Sequence, residues 1–139
     1  MVTEILHDRR HFRRSVTRLD NSCPIFTAFR PVCFPATHPK WSFAKTDKNG
    51  IISEVAEKNP ISDQATAGIY YWKHGADYVK YAEQMIEKNI RVNNEFYVCP
   101  VYNEAIQDGK VVYNHMIPSE NMWGLGTPED LTYYLENYK

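Results

Sequence analysis

Glu57-Lys58-Asn59-Pro60 sets an acid beside a base where a stretch of alternating residues ends and a loop begins. A carboxylate accepts hydrogen bonds from sugar hydroxyls, and a neighbouring ammonium meets a phosphate. Strand ends of this kind are where α/β proteins bind ligands. An exposed ion pair is the plainer reading of the same residues, and spacing alone favours it, because such pairs are common and contribute little. In Ala67-Gly68-Ile69-Tyr70-Tyr71, a glycine at the start of a short aromatic strand lets a ligand or another backbone approach closely. Tyr70 can stack on a sugar or hydrogen-bond to it, and reads equally as core filling. Arg91-Val92-Asn93-Asn94-Glu95 is a polar knot ahead of a helical pattern, where backbone N–H groups suit an anion. Asn94 as helix cap and Glu95 as a first-turn acid is the simpler assignment.

Other chemistries find less support. Trp123-Gly124-Leu125-Gly126-Thr127-Pro128 carries two glycines before a helix, but neither the lysine of a phosphate-cradling loop nor a GxGxxG span. His38, His74 and His115 have no neighbours that suggest a triad. His7 and His11 stand four apart, but Asp8 and two arginines replace the glutamate arrangement of a zinc helix. The three cysteines, Cys23, Cys33 and Cys99, match no metal spacing, which fits a reduced, cytoplasmic setting.

These residues must be held by elements that the pattern makes visible. Trp41 to Thr46 alternates apolar with polar or small residues, as a half-buried strand does. Asp47-Lys48-Asn49-Gly50 follows as a turn, and Ile51 to Glu57 returns as a second strand of a hairpin. Ala67 to Trp72 is a third strand. Gly75 to Asn89 reads as a helix, with Tyr78, Val79, Ala82, Met85 and Ile86 on its apolar stripe. Asn94 to Gln107 reads as another, despite Pro100, which marks a start or a kink. Lys110 to Met116 reads as a strand. Thr127-Pro128-Glu129-Asp130 opens a last helix with a threonine cap, a first-turn proline and acids; Leu131, Tyr134, Leu135 and Tyr138 form its apolar face. The order β-β-β-α-α-β-α predicts an α/β or α+β class with a mixed sheet.

At 139 residues the chain is one domain's worth of polypeptide, or a fragment of a larger domain. Its net charge of -1 provides no global attraction to DNA or to an anionic membrane. No apolar run is long enough for a transmembrane helix or the core of a signal peptide. Six of the seven arginines precede residue 31, and all nine lysines follow residue 39. That segregation divides the chain into residues 1–33, a poorly structured basic leader or a stretch translated out of frame, and residues 34–139, the organised part. The arginines from Arg9 to Arg18 also read as a face for RNA or phosphate, but no aromatic residues are interleaved with them.

Five segments, in order, carry a resemblance. They are His38-Pro-Lys-Trp-Ser-Phe-Ala-Lys45, Glu54-Val-Ala-Glu-Lys-Asn-Pro60, Gly68-Ile-Tyr-Tyr71, Asn94-Glu-Phe-Tyr-Val-Cys-Pro-Val-Tyr-Asn103 and Gly124-Leu-Gly-Thr-Pro-Glu-Asp-Leu131. The series resembles the C-terminal half of the sugar-phosphate nucleotidyltransferase family, in particular bacterial members linked with capsule and surface-polysaccharide synthesis. The resemblance implies part of a Rossmann-like nucleotide-diphospho-sugar transferase domain of the GT-A type. It implies a reaction that joins a nucleoside triphosphate to a sugar phosphate with Mg²⁺ and releases pyrophosphate. It also implies roles for single residues: Glu57 for sugar hydroxyls, Lys58 for the sugar phosphate, Gly68 and Tyr70 for the sugar-pocket strand, and Glu95 for an acid beside them.

Two departures qualify what is expected. Members of the family carry an aspartate for Mg²⁺ where this chain has Gly124, so the metal site is expected to be incomplete. The family's N-terminal half, with its glycine-rich loop, is not matched, and residues 1–33 contain no glycine. The expectation is therefore a fragment, inactive alone, with exposed sheet edges that favour self-association. A non-catalytic module that binds a sugar phosphate or pairs with another subunit is the alternative. A GT-A glycosyltransferase is a third reading, but the DxD metal motif it requires is not in the sequence.

Overall fold

The computed structural model of the chain describes residues 29–138. The Arg9–Arg18 cluster, the His7 and His11 pair and Cys23 lie outside the described residues. Four strands come first: β1 (Arg30–Pro35), β2 (Ser42–Thr46), β3 (Ile52–Glu57) and β4 (Gln64–Tyr71). Helices α1 (Gly75–Glu87) and α2 (Val101–Gln107) follow, then β5 (His115–Met116), a single 3-10 turn (Ser119–Asn121) and α3 (Pro128–Asn137). The strands form one sheet in the order β3-β2-β4-β1-β5. β1 pairs antiparallel with β4 and parallel with β5, so the sheet is mixed and the chain is α/β.

The hairpin of β2 and β3 forms as its sequence dictates. The Asp47 carboxylate accepts from the backbone N–H of Asn49 at 2.8 Å and of Ile51 at 2.9 Å. These bonds, that from Ile51 foremost, hold the Asp47 carboxyl below its ordinary range. Gly50 takes the left-handed conformation that ends the turn, at φ +75°.

β1 is the strand that pattern reading misses. Pro31 and Pro35 disguise it, since proline removes a ladder donor. It nevertheless lies inside the sheet, with Cys33 fully buried, and it runs across the composition break near residue 34. β4 begins three residues earlier than expected. Its register with β1 jumps from Pro31↔Tyr70 to Cys33↔Thr66, so β4 bulges, and Gly68 sits in the bulge at φ +76°.

The helices differ from expectation in ways that proline and helix geometry explain. In α1 the buried residues are Tyr81 and Met85, with Tyr78 and Ala82 against the core. Val79 and Ile86, expected on that stripe, are each 51% exposed. Tyr78, Tyr81, Ala82 and Met85 define the side that faces the sheet, and helical geometry sets Val79 and Ile86 on its flank, turned toward solvent. Asn89, at φ +53°, ends the helix: its N–H donates to Ile86 and that of Ile90 to Met85, in a Schellman closure. The expected helix from Asn94 to Gln107 is halved, because residues 94–100 are not helical and α2 starts only after Pro100, its N-cap. Proline disfavours helical backbone in the residue before it, which explains the late start. The expected strand from Lys110 to Met116 contracts to β5, with single bridges at Val112 and Tyr113. α3 starts as expected, with the Thr127 hydroxyl accepting from the Asp130 N–H at 3.1 Å. Of its expected apolar face, Tyr134 and Tyr138 pack edge-on against Trp123, while Leu131 and Leu135 are 46% and 70% exposed.

Alternation along the strands sends neighbouring residues to opposite faces and builds two cores. Cys33, Ala44, Ile52 and Val55 meet α1 and α2 on one face, where Trp72 stacks on Tyr102 with centroids 4.6 Å apart. Phe34, Phe43, Ala65 and Ala67 pack with Trp41, Ile117 and Met122 on the other. Asn103 of α2 fastens the edge of β3 by accepting from the Val55 N–H at 2.9 Å and donating to its carbonyl at 2.8 Å.

Candidate functional site

One cleft of about 700 Å³ gathers all five residues singled out in the sequence: Glu57, Lys58, Gly68, Tyr70 and Glu95. That volume lies in the range of small-molecule sites. Glu57 is the last residue of β3, opposite Ser42 in the β2 register, and the Ser42 hydroxyl donates to its carboxylate. Lys58 follows in left-handed backbone, at φ +54°, and its N–H donates to the Trp41 carbonyl at 3.0 Å. A non-glycine residue in that region costs energy unless its surroundings enforce it, and such residues cluster at functional sites. The twist carries the Lys58 side chain off the strand to Tyr97, where its ammonium donates to the phenol oxygen at 2.5 Å. The ammonium lies 4.6 Å from the Tyr97 ring centroid, and the Tyr97 hydroxyl donates to Glu95.

The β4 bulge forms the adjoining wall. Gly68 is exposed there, and Tyr70 shares a hydrogen bond of 3.0 Å with buried Thr66. Burial, with Cys99 nearby, pushes the Tyr70 phenol far up, so it stays a neutral donor and acceptor. Burial also raises the Glu57 carboxyl above its ordinary value, although the Ser42 hydrogen bond and the Lys58 charge oppose the shift. Lys58 is raised, by its bond to Tyr97 above all and more weakly by Glu57 and Glu95, and stays an ammonium. Cys99 lines the cleft, but burial lifts its thiol well above its usual value and leaves it a poor nucleophile. The floor therefore offers a hydroxyl-binding carboxylate, neutral hydroxyls and one cation.

Sequence reasoning missed Ser42, Thr66 and Tyr97. For Tyr97 a signal was present. Residues two apart share a face in extended chain but not in a helix. Reading 94–107 as helix hid the pairing of Glu95 with Tyr97. The structure also replaces Asn94 as a helix cap: Asn93 and Asn94 both have positive φ, in a tight turn closed by Val92 and Glu95.

The far rim comes from the C-terminal segment. Asp130 of α3 pairs with Lys40 at 2.5 Å, and both border the cleft with Gly126 and Thr127. A side chain begun at Gly124 would start 3.0 Å from a ring carbon of Trp41 and 3.5 Å from an Asp130 oxygen. Among the described residues no group of three or more His, Cys, Asp and Glu converges as metal ligands. A side chain at 124 would therefore require the Trp41 ring to yield by a few tenths of an ångström, and Asp130 is already paired with Lys40.

No family model matches the chain, and no curated protein matches it. A solved structure does. The crystal structure of a nucleoside-diphosphate-sugar pyrophosphorylase from Vibrio cholerae RC9 superposes with a TM-score of 0.76 at 28% identity. The match covers 83% of this chain and 50% of that one, so the chain spans half the length of its structural relative. The fold is thus of the nucleotidyltransferase-like α/β kind. No described helix is long and apolar enough to cross a membrane.

Proposed function

We propose that this chain supplies the sugar-phosphate side of a nucleotidyltransferase that joins a nucleoside triphosphate to a sugar phosphate and makes a nucleotide sugar. The observation that carries this reading is the convergence of Glu57, Lys58, Gly68, Tyr70 and Glu95 on one cleft, in a fold similar to a nucleoside-diphosphate-sugar pyrophosphorylase. In this reading the Glu57 carboxylate accepts hydrogen bonds from sugar hydroxyls and the Lys58 ammonium meets the phosphate. Gly68 lets the sugar ring approach the β4 backbone, and Tyr70 adds a hydrogen-bonding hydroxyl beside it. Phosphoryl transfer depends on holding two anionic reactants in line and neutralising their charge. The described residues offer one side of that arrangement. We therefore assign no turnover to the chain alone, and no step to Mg²⁺. Surface-polysaccharide synthesis as the use of the product, a cytoplasmic location and self-association through sheet edges belong to the same proposal.

A titration of the full chain with glucose 1-phosphate and N-acetylglucosamine 1-phosphate, followed by phosphorus NMR, tests the reading. Binding that is lost in Lys58→Ala supports it, and equal affinity in that variant removes Lys58 from the site. Pyrophosphate release by the isolated chain would overturn the half-site assignment. A glycine at 124, crowded by the Trp41 ring, favours a second reading, a non-catalytic sugar-phosphate-binding or subunit-pairing module. Sugar-phosphate binding without turnover, even beside a nucleotide-binding partner subunit, would select it.

A further inference from the structure

The cleft contains two lysines in opposite states. Lys40 is neutralised by Asp130 at 2.5 Å. Lys58 makes no ion pair with a described carboxylate, although Glu57 and Glu95 both stand near enough to act on its charge. Each of those acids is occupied by a hydroxyl instead. Ser42 donates to Glu57, and Tyr97 donates to Glu95. Tyr97 stands between base and acid: its oxygen accepts from Lys58 at 2.5 Å while its hydrogen goes to Glu95. The ring face adds attraction for the cation, at 4.6 Å.

We propose that Tyr97 is a positioning residue that separates the Lys58 ammonium from the Glu95 carboxylate, so that the cation stays directed at a phosphate monoester in the cleft. This rests on the sugar-phosphate reading of the same site. An ammonium paired directly with a carboxylate has spent most of its charge, and a phosphate must break that pair to bind. Held through a neutral phenol, the ammonium keeps its full charge and two unused N–H donors. The left-handed backbone at Lys58 fixes the stem from the other end. Glu95 then acts on Tyr97 rather than on the ligand.

The test is a titration of the full chain with glucose 1-phosphate, N-acetylglucosamine 1-phosphate and inorganic phosphate, with thermal unfolding of every variant alongside. Tyr97→Phe keeps the ring but frees Lys58 to pair with Glu95, and should weaken phosphate binding about tenfold, equivalent to about 1.4 kcal/mol. Glu95→Gln still accepts from the phenol but removes a negative charge from the cleft, and should tighten binding about two- to threefold. Combined with Tyr97→Phe, Glu95→Gln should recover most of the lost affinity, because no carboxylate is left there to capture the lysine. Simple loss of packing would not be rescued in this way. Wild-type affinity in Tyr97→Phe, or a double variant as weak as Tyr97→Phe, overturns the proposal. If Tyr97→Phe does not fold, Glu95→Gln decides alone, and weakened binding in it refutes the separation. Wild-type protein that binds none of the three probes would remove the proposed function and this inference together; loss in Lys58→Ala without loss in Tyr97→Phe would remove only this inference.

Discussion

Asn103→Ala should destabilise the fold far more than one partly exposed side chain suggests. The Asn103 amide satisfies both backbone groups of Val55, at 2.9 and 2.8 Å, on the outer side of an edge strand whose Val55 is 2% exposed. Two such bonds contribute about 1 kcal/mol each, and stranding a buried donor and acceptor adds about 1–3 kcal/mol per group where water cannot enter. Water reaches an edge strand in part, so a total of about 2–4 kcal/mol is expected. For a domain of this size that is roughly 7–17 °C in Tm. Urea and thermal unfolding followed by circular dichroism measure it directly. Because β3 ends in Glu57, affinity for a sugar phosphate should fall in the same variant. A loss of stability below about 1 kcal/mol would show that Val55 finds other partners, and that the α2 anchor does not hold the strand.

Two further outcomes follow from the cleft. Gly68→Ala forces an L-residue to φ +76° and should cost about 1–2 kcal/mol of stability, while Gly68→Asn, which tolerates that backbone better, should cost less; both should weaken sugar-phosphate binding, and unfolding curves beside titrations separate the effects. Burial raises the Glu57 carboxyl in the folded state, so the folded chain holds this proton more tightly than the unfolded chain does, and stability declines as pH climbs from the ordinary carboxylate range through the folded value. Glu57→Gln should therefore be more stable than wild type at neutral pH, with a gain that vanishes under acid conditions, as urea midpoints across pH will show; a gain independent of pH would refute the assignment.

The parts of this chain that were legible in advance are those where a local rule acts alone. The Asp47–Gly50 turn and the Thr127 cap depend on a few neighbouring residues, and the structure has both where the pattern predicts them. What stayed hidden depended on partners distant in sequence. β1 is a strand because β4 and β5 flank it, and its two prolines erase the local signal. Val79 and Ile86 recur at helical spacing, but they sit on the flank of the side that Tyr78, Tyr81, Ala82 and Met85 turn to the sheet. The five candidate site residues lie in the segments that carry the family resemblance, since spacing alone favours plainer roles for them, and the cleft brings them together. Their hydroxyl partners, Ser42 and Tyr97, needed the β2 register and an extended segment after Asn94 that periodicity had rendered as helix.

The closeness of the Trp41 ring to Gly124 couples two positions far apart in the chain. A side chain at 124 would start 3.0 Å from the indole, which must yield by a few tenths of an ångström to admit it, and trimming the indole alone would leave a void beside Phe34, whose ring it meets edge-on at 5.3 Å. Either step taken singly is penalised, so the two positions are epistatic. A larger residue at 124 is accommodated most readily when residue 41 changes with it.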